Sequence, residues 1–424
     1  MKHRNPSLVG NSLGKWVLLG FLFLVSGCAV SPLTKARQHY FQGNLQQAVD
    51  TLGPAADTSG RNELLYYMEK GVFLHGLGEY QASTDTLLKA SRLMAELETI
   101  SLSRQTAAVV SSDLITKYPG EYCERLWVHT LLMMNYLLLS REDEALVEAK
   151  QALKVFDLYP EALKKDYFSR ALIALCYENL GEDNDAFIEY RKLMRILPTP
   201  RLIARDLYRL GSRLGRLDEL KDIADLLPQK PTTDPASELV IFLNAGRIPV
   251  KFAGNIFIPP HTRISFPQYH DSAPPSAILR FDDPAQQRMA TQLTTDLGEV
   301  AHNSLKDRAT GIIAKEATRV AAKEALIQTI RKNGNELAVV AVQVLAILSE
   351  EADTRSWQAL PGSFSLVRVP LAPGSHQVRF TLSGDRQYPP QQITILPFTL
   401  LPGQRKYQSY AMQGNMAALV RTTK

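Results

Sequence analysis

Apolar and small residues recur at helical spacing from about residue 34 to residue 228, and the recurrence itself repeats. Ala36, Tyr40, Gly43-Asn44-Leu45, Ala48 and Leu52 make a ladder of small, aromatic, glycine, small and large positions. Gly71, Leu74, Gly78-Glu79-Tyr80, Leu87 and Ala90 repeat it, with the turn glycines Gly43 and Gly78 one period apart. Met133, Tyr136, Ser140, Ala145, Ala149 and Ala152 form a third copy, with serine at the turn. Ala174, Tyr177, Gly181, Ala186, Tyr190, Leu193 and Pro198 form a fourth. Leu210, Gly215, Leu217, Ala224 and Leu227-Pro228 form a fifth, its glycine again one period after Gly181. Small residues let two helices approach closely, and large ones fill the space between neighbouring pairs. A glycine after the first helix permits the left-handed residue that closes it.

This ladder resembles that of tetratricopeptide repeats. The resemblance implies antiparallel helix pairs that stack because no single pair can bury its apolar face. It also implies a concave face of the kind that binds extended peptides or partner helices. The stretch from Gly78 to Ser140 is too long for one period. Residues 91–118 therefore read as the extension of one helix plus another from about Ser101 to Lys117, a break that caps or bends the stack.

Beyond Pro228 the period changes. Residues 229–237 carry two prolines and several hydroxyl residues, as a linker does. Glu238–Leu243, Ile248–Phe252, Arg263–Phe266 and Ala277–Phe281 read as strands between Gly, Pro and Asn breakers. Phe364–Val369 and Gln377–Leu382 follow, joined by Ala372-Pro373-Gly374-Ser375 as a type II turn, and Gln392–Ile395 and Lys406–Tyr410 add further strands. In Gln377–Leu382 alternation sends Val378, Phe380 and Leu382 inward. Between the two groups, Pro284 starts a long helix expected to reach Arg331, with Asp282-Asp283 at its cap. That helix carries Ile312, Ile313, Val320 and Ile327 on one side and Lys315, Arg319 and Lys323 on the other. The apolar run Leu337–Leu348 then forms a second helix. A run of 12 is too short to span a bilayer, so burial against the sheet is favoured over insertion into lipid or a partner's groove. The chain is expected to be α+β: an N-terminal all-α tetratricopeptide-like solenoid, then a β-rich domain with an inserted helical hairpin at about 284–352.

The N-terminal segment up to Cys28 assigns a location. Lys2, Arg4 and Lys15 precede the apolar run Trp16–Val25, which is too short for a membrane span and reads as an export signal. Val25-Ser26-Gly27-Cys28 resembles the lipobox of bacterial lipoproteins. In that family cleavage falls between the residues matching Gly27 and Cys28, and the cysteine is acylated. The resemblance implies a diacylglyceryl group plus an amide-linked chain such as palmitate, ample for stable anchoring. The next residue is Ala29 rather than the aspartate that marks inner-membrane retention in Gram-negative lipoproteins, so the expected site is the outer membrane, on its periplasmic face. The expected division is 1–27 signal, 28–33 anchored linker, 34–228 repeats, 229–237 linker and 238–424 β-rich domain.

Residues 1–27 hold three of the 48 basic side chains and none of the 43 acidic ones, so the mature chain is near neutral, about +2. With no Lys/Arg tract, nucleic acid is not an expected partner. Besides Cys28 only Cys123 and Cys176 remain, as buried thiols or as a disulfide. No HExxH, GxSxG, Walker loop or GxGxxG occurs in a suitable setting, and the eight histidines are scattered, with His39, His75 and His129 inside helices. No metal, cofactor or catalytic residue is expected. Asp353, Arg355 and Trp357 form a corner, structural or binding, in which Arg355 pairs with Asp353 or stacks on a ring. With Asn244-Ala-Gly246, Pro249-Val-Lys251 and Ala352–Pro361, the chain resembles a family of uncharacterised bacterial lipoproteins whose members imply no settled activity. The functional expectation is a non-enzymatic, membrane-tethered adaptor for a periplasmic or outer-membrane protein in envelope assembly or export. The alternatives are an activator of peptidoglycan synthesis and, in a different class, an envelope-polymer hydrolase.

Overall fold

A computed structural model describes residues 31–53, 60–103, 117–227, 237–258, 262–271, 277–332, 352–384 and 389–412. Gly27, Cys28, most of the helix expected from Ser101 to Lys117, most of the linker at 229–237 and the apolar run Leu337–Leu348 lie outside the described residues. Among the described residues the first half holds helices and no strand: α1 (Pro32–Phe41), α2 (Leu45–Leu52), α3 (Glu63–Leu77), α4 (Tyr80–Ser103), α5 (Tyr122–Leu138) and α6 (Glu142–Leu158). A short α7 (Pro160–Leu163) precedes α8 (Tyr167–Asn179), α9 (Asp183–Ile196) and α10 (Arg201–Arg213). A 3-10 turn over Leu217–Leu220 and α11 (Lys221–Ala224) close the series.

Five antiparallel pairs result, and the residue that closes each first helix has positive φ: Gly43, Gly78, Ser140, Gly181 and Gly215. At all five, that residue's N–H donates three residues back and the next N–H donates five back, as in Gly181 to Glu178 (3.2 Å) and Glu182 to Tyr177 (3.0 Å). This is the Schellman closure, which satisfies carbonyls the helix leaves open. Ser140, at φ 58°, is the single non-glycine residue with positive φ among the described residues. The stretch from Ser140 to Gly181 is longer than one period, and the inserted α7 accounts for the excess. The small positions are close-approach positions. Ala36, Ala48, Ala90, Ala149, Ala174 and Ala186 are fully buried. A Cβ on Gly71 would lie 2.5 Å from the Leu87 side chain, and one on Gly211 2.5 Å from that of Leu220. The extension of the second pair is present, since α4 runs unbroken for 24 residues.

The second half contains β1 (Ser237–Ala245), β2 (Lys251–Ile258), β3 (Thr262–Tyr269), β4 (Ala277–Phe281), α12 (Pro284–Met289), β5 (Thr291–Asp296) and α13 (Leu297–Lys332). Then follow β6 (Ser363–Leu371), β7 (Gly374–His376), β8 (Arg379–Gly384), β9 (Gln391–Thr394), β10 (Phe398–Leu400) and β11 (Arg405–Met412). The central sheet has the order β11-β1-β6-β5, with β1 parallel to β11 and every other pairing antiparallel. Smaller sheets are β4-β8-β9, β2-β3 and β10-β7.

β1 explains the near-continuous apolar run Leu239–Leu243, because all nine of its residues are buried. Val240 and Phe242 enter a core shared with the helices, while Leu239, Ile241, Leu243 and Ala245 enter a second core with β4, β8 and β9. Strands covered on both faces lose polar alternation for this reason. The order of layers is helical array, central sheet, small sheet. One buried cluster runs from Leu33 in α1 through Trp127, Phe187 and Leu210 to Phe364 in β6 and Tyr407 in β11.

Two expectations are corrected. The helix from Pro284 does not reach Arg331, because α12 stops at Met289 and β5 becomes an edge of the central sheet. Thr291-Gln292-Leu293-Thr294-Thr295 is rich in β-branched residues, with Leu293 and Thr295 buried. Asp296 then accepts the Glu299 N–H (3.2 Å), and α13 begins. Asp283 does cap α12, accepting from the Ala285 N–H at 2.8 Å. Secondly, β6 and β8 are not hairpin partners. Both edges of β6 are taken by β1 and β5, so Ala372–Ser375 carries the chain to the β4-β8-β9 sheet. Val378, Phe380 and Leu382 are buried there, as alternation requires.

Candidate functional site

The first helix of every pair sends polar groups onto the β half, so the inner face of the array is occupied by its own chain. The face carried by the first helices is therefore engaged, at these contacts, by the second half of the chain. From α1, Arg37 Nη2 donates to Ser356 O (2.8 Å); from α3, Glu69 accepts the N–H groups of Gln358 and Ala359 (3.0 Å each). On α8 the Phe168 N–H donates to Thr295 Oγ1 (2.7 Å), and Asn179 Nδ2 donates to Tyr407 Oη (2.8 Å). Three clusters carry the rest.

The first is the corner at 352–361. Arg355 does both things open to it, gripping Asp353 through Nε (2.8 Å) and Nη2 (2.7 Å) and lying over the Tyr118 ring, 5.2 Å from its centroid. Trp357 is 1 % exposed, and its backbone N–H donates to Glu124 (2.7 Å). Lys251 reaches the same corner, donating to Arg355 O (3.1 Å) and pairing with Glu121. Glu121 and Glu124 form a capping box at the start of α5. Burial works to raise the Glu121 pKa, but Lys251 and Arg308 overcome it and hold the carboxyl at about 2. Glu124 makes no ion pair among the described residues, and Lys251 only partly offsets its burial. Burial pushes its pKa up, and it accepts from Tyr118 Oη (2.7 Å) and the Glu121 N–H (2.9 Å). Thus Pro249-Val-Lys251 and Ala352–Pro361, about a hundred residues apart, meet on one pair of glutamates.

The second cluster sits between α8, α10 and the central sheet. Glu178, Asp206 and Glu238 face Arg209, Arg368 and Arg405, every side chain 7 % exposed or less. Arg368 is its centre, meeting Glu238 Oε2 (2.5 Å), Asp206 Oδ2 (3.0 Å), Tyr190 Oη (2.7 Å) and Glu178 Oε2 (3.5 Å). Arg209 and Arg405 both pair with Glu178, and Arg405 Nε reaches Glu238 at 3.2 Å. Burial alone would raise Glu178; the three guanidiniums instead hold it well below the carboxylate range. Sequence reasoning passed over these residues. The available signal was a charge inside an apolar strand: Arg368 in Phe364–Val369 and Glu238 heading Leu239–Leu243.

The third is a directed chain of hydrogen bonds. Ser83 Oγ donates to Gly71 O (2.7 Å) and accepts from Asn135 Nδ2 (2.9 Å), which turns Asn135 Oδ1 toward His75 Nδ1 (2.6 Å). His75 therefore carries its proton on Nδ1 and offers the Nε2 lone pair to Ser409 on β11 (3.0 Å). Burial lowers the His75 pKa, keeping the ring neutral. A serine, a histidine base and an amide orienter share this order with hydrolytic triads. The adjoining cavity, lined by His75, Asn244 and Ser409 among others, has a volume of about 30 Å³. That is room for water and not for an acyl substrate, so the chain serves as a polar clasp between α3 and β11.

Cys123 and Cys176 are free, buried thiols, and burial pushes both pKa values up, away from reactivity. His129 pairs with Glu148 (2.7 Å). Among the described residues no group of three or more His, Cys, Asp or Glu is placed to hold a metal ion, and no helix is long and apolar enough to cross a membrane.

No protein-family model matches the chain, and no curated protein matches it. Solved structures similar to it include the protein MamA. A structure titled MamA AMB-1 is 16 % identical, covers 46 % of this chain and 87 % of its own, and has a TM-score of 0.32. MamA 41-end from Desulfovibrio magneticus RS-1 is 16 % identical over 46 % of this chain and 88 % of its own, also with a TM-score of 0.32.

Proposed function

We propose that this chain is a lipid-tethered, non-catalytic scaffold on the periplasmic face of the outer membrane, engaging a protein partner in envelope assembly or export. The observation that carries this reading is the helical array sealed along its inner face by its own sheet. Such a body is a rigid platform, and its polar clusters are paired into locks rather than opened to a substrate. The face left to a partner is the outer one, formed by the second helices. Val147 and Leu158 on α6 and Ile188 and Ile196 on α9 stand exposed there. Photocrosslinkers placed at Val147 and Ile188 in intact cells should capture one defined envelope protein. Labelled palmitate should enter the wild-type chain and not Cys28→Ser. Incorporation in Cys28→Ser would refute the tether; polymer cleavage by the purified protein in zymography would refute the scaffold.

A further inference from the structure

A cleft between α1 and the turn after β1 belongs to none of the three clusters. Gly246 adopts φ 66° where β1 ends, and its N–H donates to Met412 O (2.9 Å). This left-handed step turns Arg247 away from the sheet, so its guanidinium lies over the Phe41 ring, 3.6 Å from the centroid. α1 contributes Thr34, Arg37, Gln38 and Phe41, spaced three or four apart on one face, and Gln358 closes the cleft, whose volume is about 450 Å³. Its charge is unbalanced. Among the described residues the carboxylate that acts on Arg247, Glu69, is buried and spent on Arg37 (Nε, 2.7 Å) and on the Gln358 and Ala359 N–H groups. Arg247 is exposed and makes no ion pair among the described residues. Desolvation against the ring and the neighbouring Arg37 lower its pKa, and Glu69 only partly offsets them.

Position supplies the occupant. Thr34 is six residues beyond Cys28, so the lining begins within about 20 Å of that sulfur even for a fully extended connection. We propose that this cleft binds the phosphate of an anionic phospholipid headgroup in the membrane that holds the chain, with Arg247 as the contacting cation and Gln38 and Gln358 as supporting donors. The proposal rests on the tether reading for its choice of ligand. The cleft would then set how the array stands on the membrane, which a single point of attachment cannot do.

Native mass spectrometry of the full-length protein, extracted from membranes into detergent, tests both readings separately. The covalent mass on Cys28 reports the tether. Non-covalent adducts formed with added phosphatidylglycerol, phosphatidylcholine or inorganic phosphate report the cleft. Phosphatidylglycerol adducts should exceed phosphatidylcholine adducts, and Arg247→Gln should cut them roughly fivefold, the loss of one basic side chain at an anionic surface. Arg247→Lys should retain more than Arg247→Gln. Equal retention of the two lipids, adducts indifferent to Arg247→Gln, or inorganic phosphate displacing phosphatidylglycerol completely would overturn the proposal. Unchanged thermal unfolding of Arg247→Gln, expected for an exposed residue, excludes misfolding as the cause of a loss.

Discussion

Replacing Arg368 with leucine tests whether the array and the sheet fold as one body. Arg368 is 3 % exposed and meets carboxylates from three elements: Glu238 on β1, Asp206 on α10 and Glu178 on α8. Removing it takes the shortest ion pair from both Glu238 and Asp206, leaving Glu238 with Arg405 (3.2 Å) and the more exposed Arg205 (3.7 Å), and Asp206 with Arg209 at 3.7 Å. Breaking a buried ion pair in this way costs about 3–5 kcal/mol, because the orphaned charge keeps its desolvation penalty. Glu238→Leu added to Arg368→Leu removes the carboxylate that loses its closest partner, leaving Glu178 and Asp206 with Arg209 and Arg405. The double variant should therefore be less destabilised than the sum of the singles by about 2 kcal/mol or more, within the range measured for residues of one network. The assay is urea unfolding of the full chain, followed by helix circular dichroism and by tryptophan fluorescence, which includes the sheet-side Trp357. In the wild type the two signals should change together. A single variant within about 1 kcal/mol of wild type, or strict additivity of the two changes, would refute a structural role for the network.

Ser140→Gly should stabilise the chain by about 0.5–1 kcal/mol, since it removes the Cβ strain at the one turn that lacks glycine; a lower urea midpoint would contradict this. Ala186→Leu should destabilise by about 1–3 kcal/mol through overpacking at a fully buried position, and a neutral effect would put the repeat register in error. Trp357→Ala should cost about 3–5 kcal/mol in the same experiment, as the ring is fully enclosed at the corner. Stability should fall with acid in two ranges. His75 is held below its ordinary 6.5, so the unfolded chain takes the proton first and stability declines as pH falls below about 6.5; His75→Gln should flatten that limb. The Glu121 carboxyl sits at about 2, so its contribution is complete above 4.5 and is lost as pH falls from there through about 2. A profile flat from pH 7 to pH 2 would exclude both.

What the sequence determined by itself was local. The Schellman closures at Gly43, Gly78, Gly181 and Gly215 each join residues no more than five positions apart, so the groups that make them lie side by side in the chain. Even Ser140 was assignable, because its neighbours kept the ladder in register around it. The inward run Val378, Phe380 and Leu382 was readable for the same reason, since alternation is a property of a single strand. β5 was not readable. Six residues between two helical stretches look like more helix until a sheet edge offers them ladder partners, and β6 supplies that edge from about 70 residues away. Nor could the sequence show that the inner face of the array is occupied. Arg37 and Ser356 are 319 residues apart, and Glu178 and Arg405 are 227 apart. No local preference brings such pairs together. They meet because β1 and β6, apolar on both faces, must be covered by helices on one side and by β4-β8-β9 on the other. Only that burial decides which carboxylate faces which guanidinium.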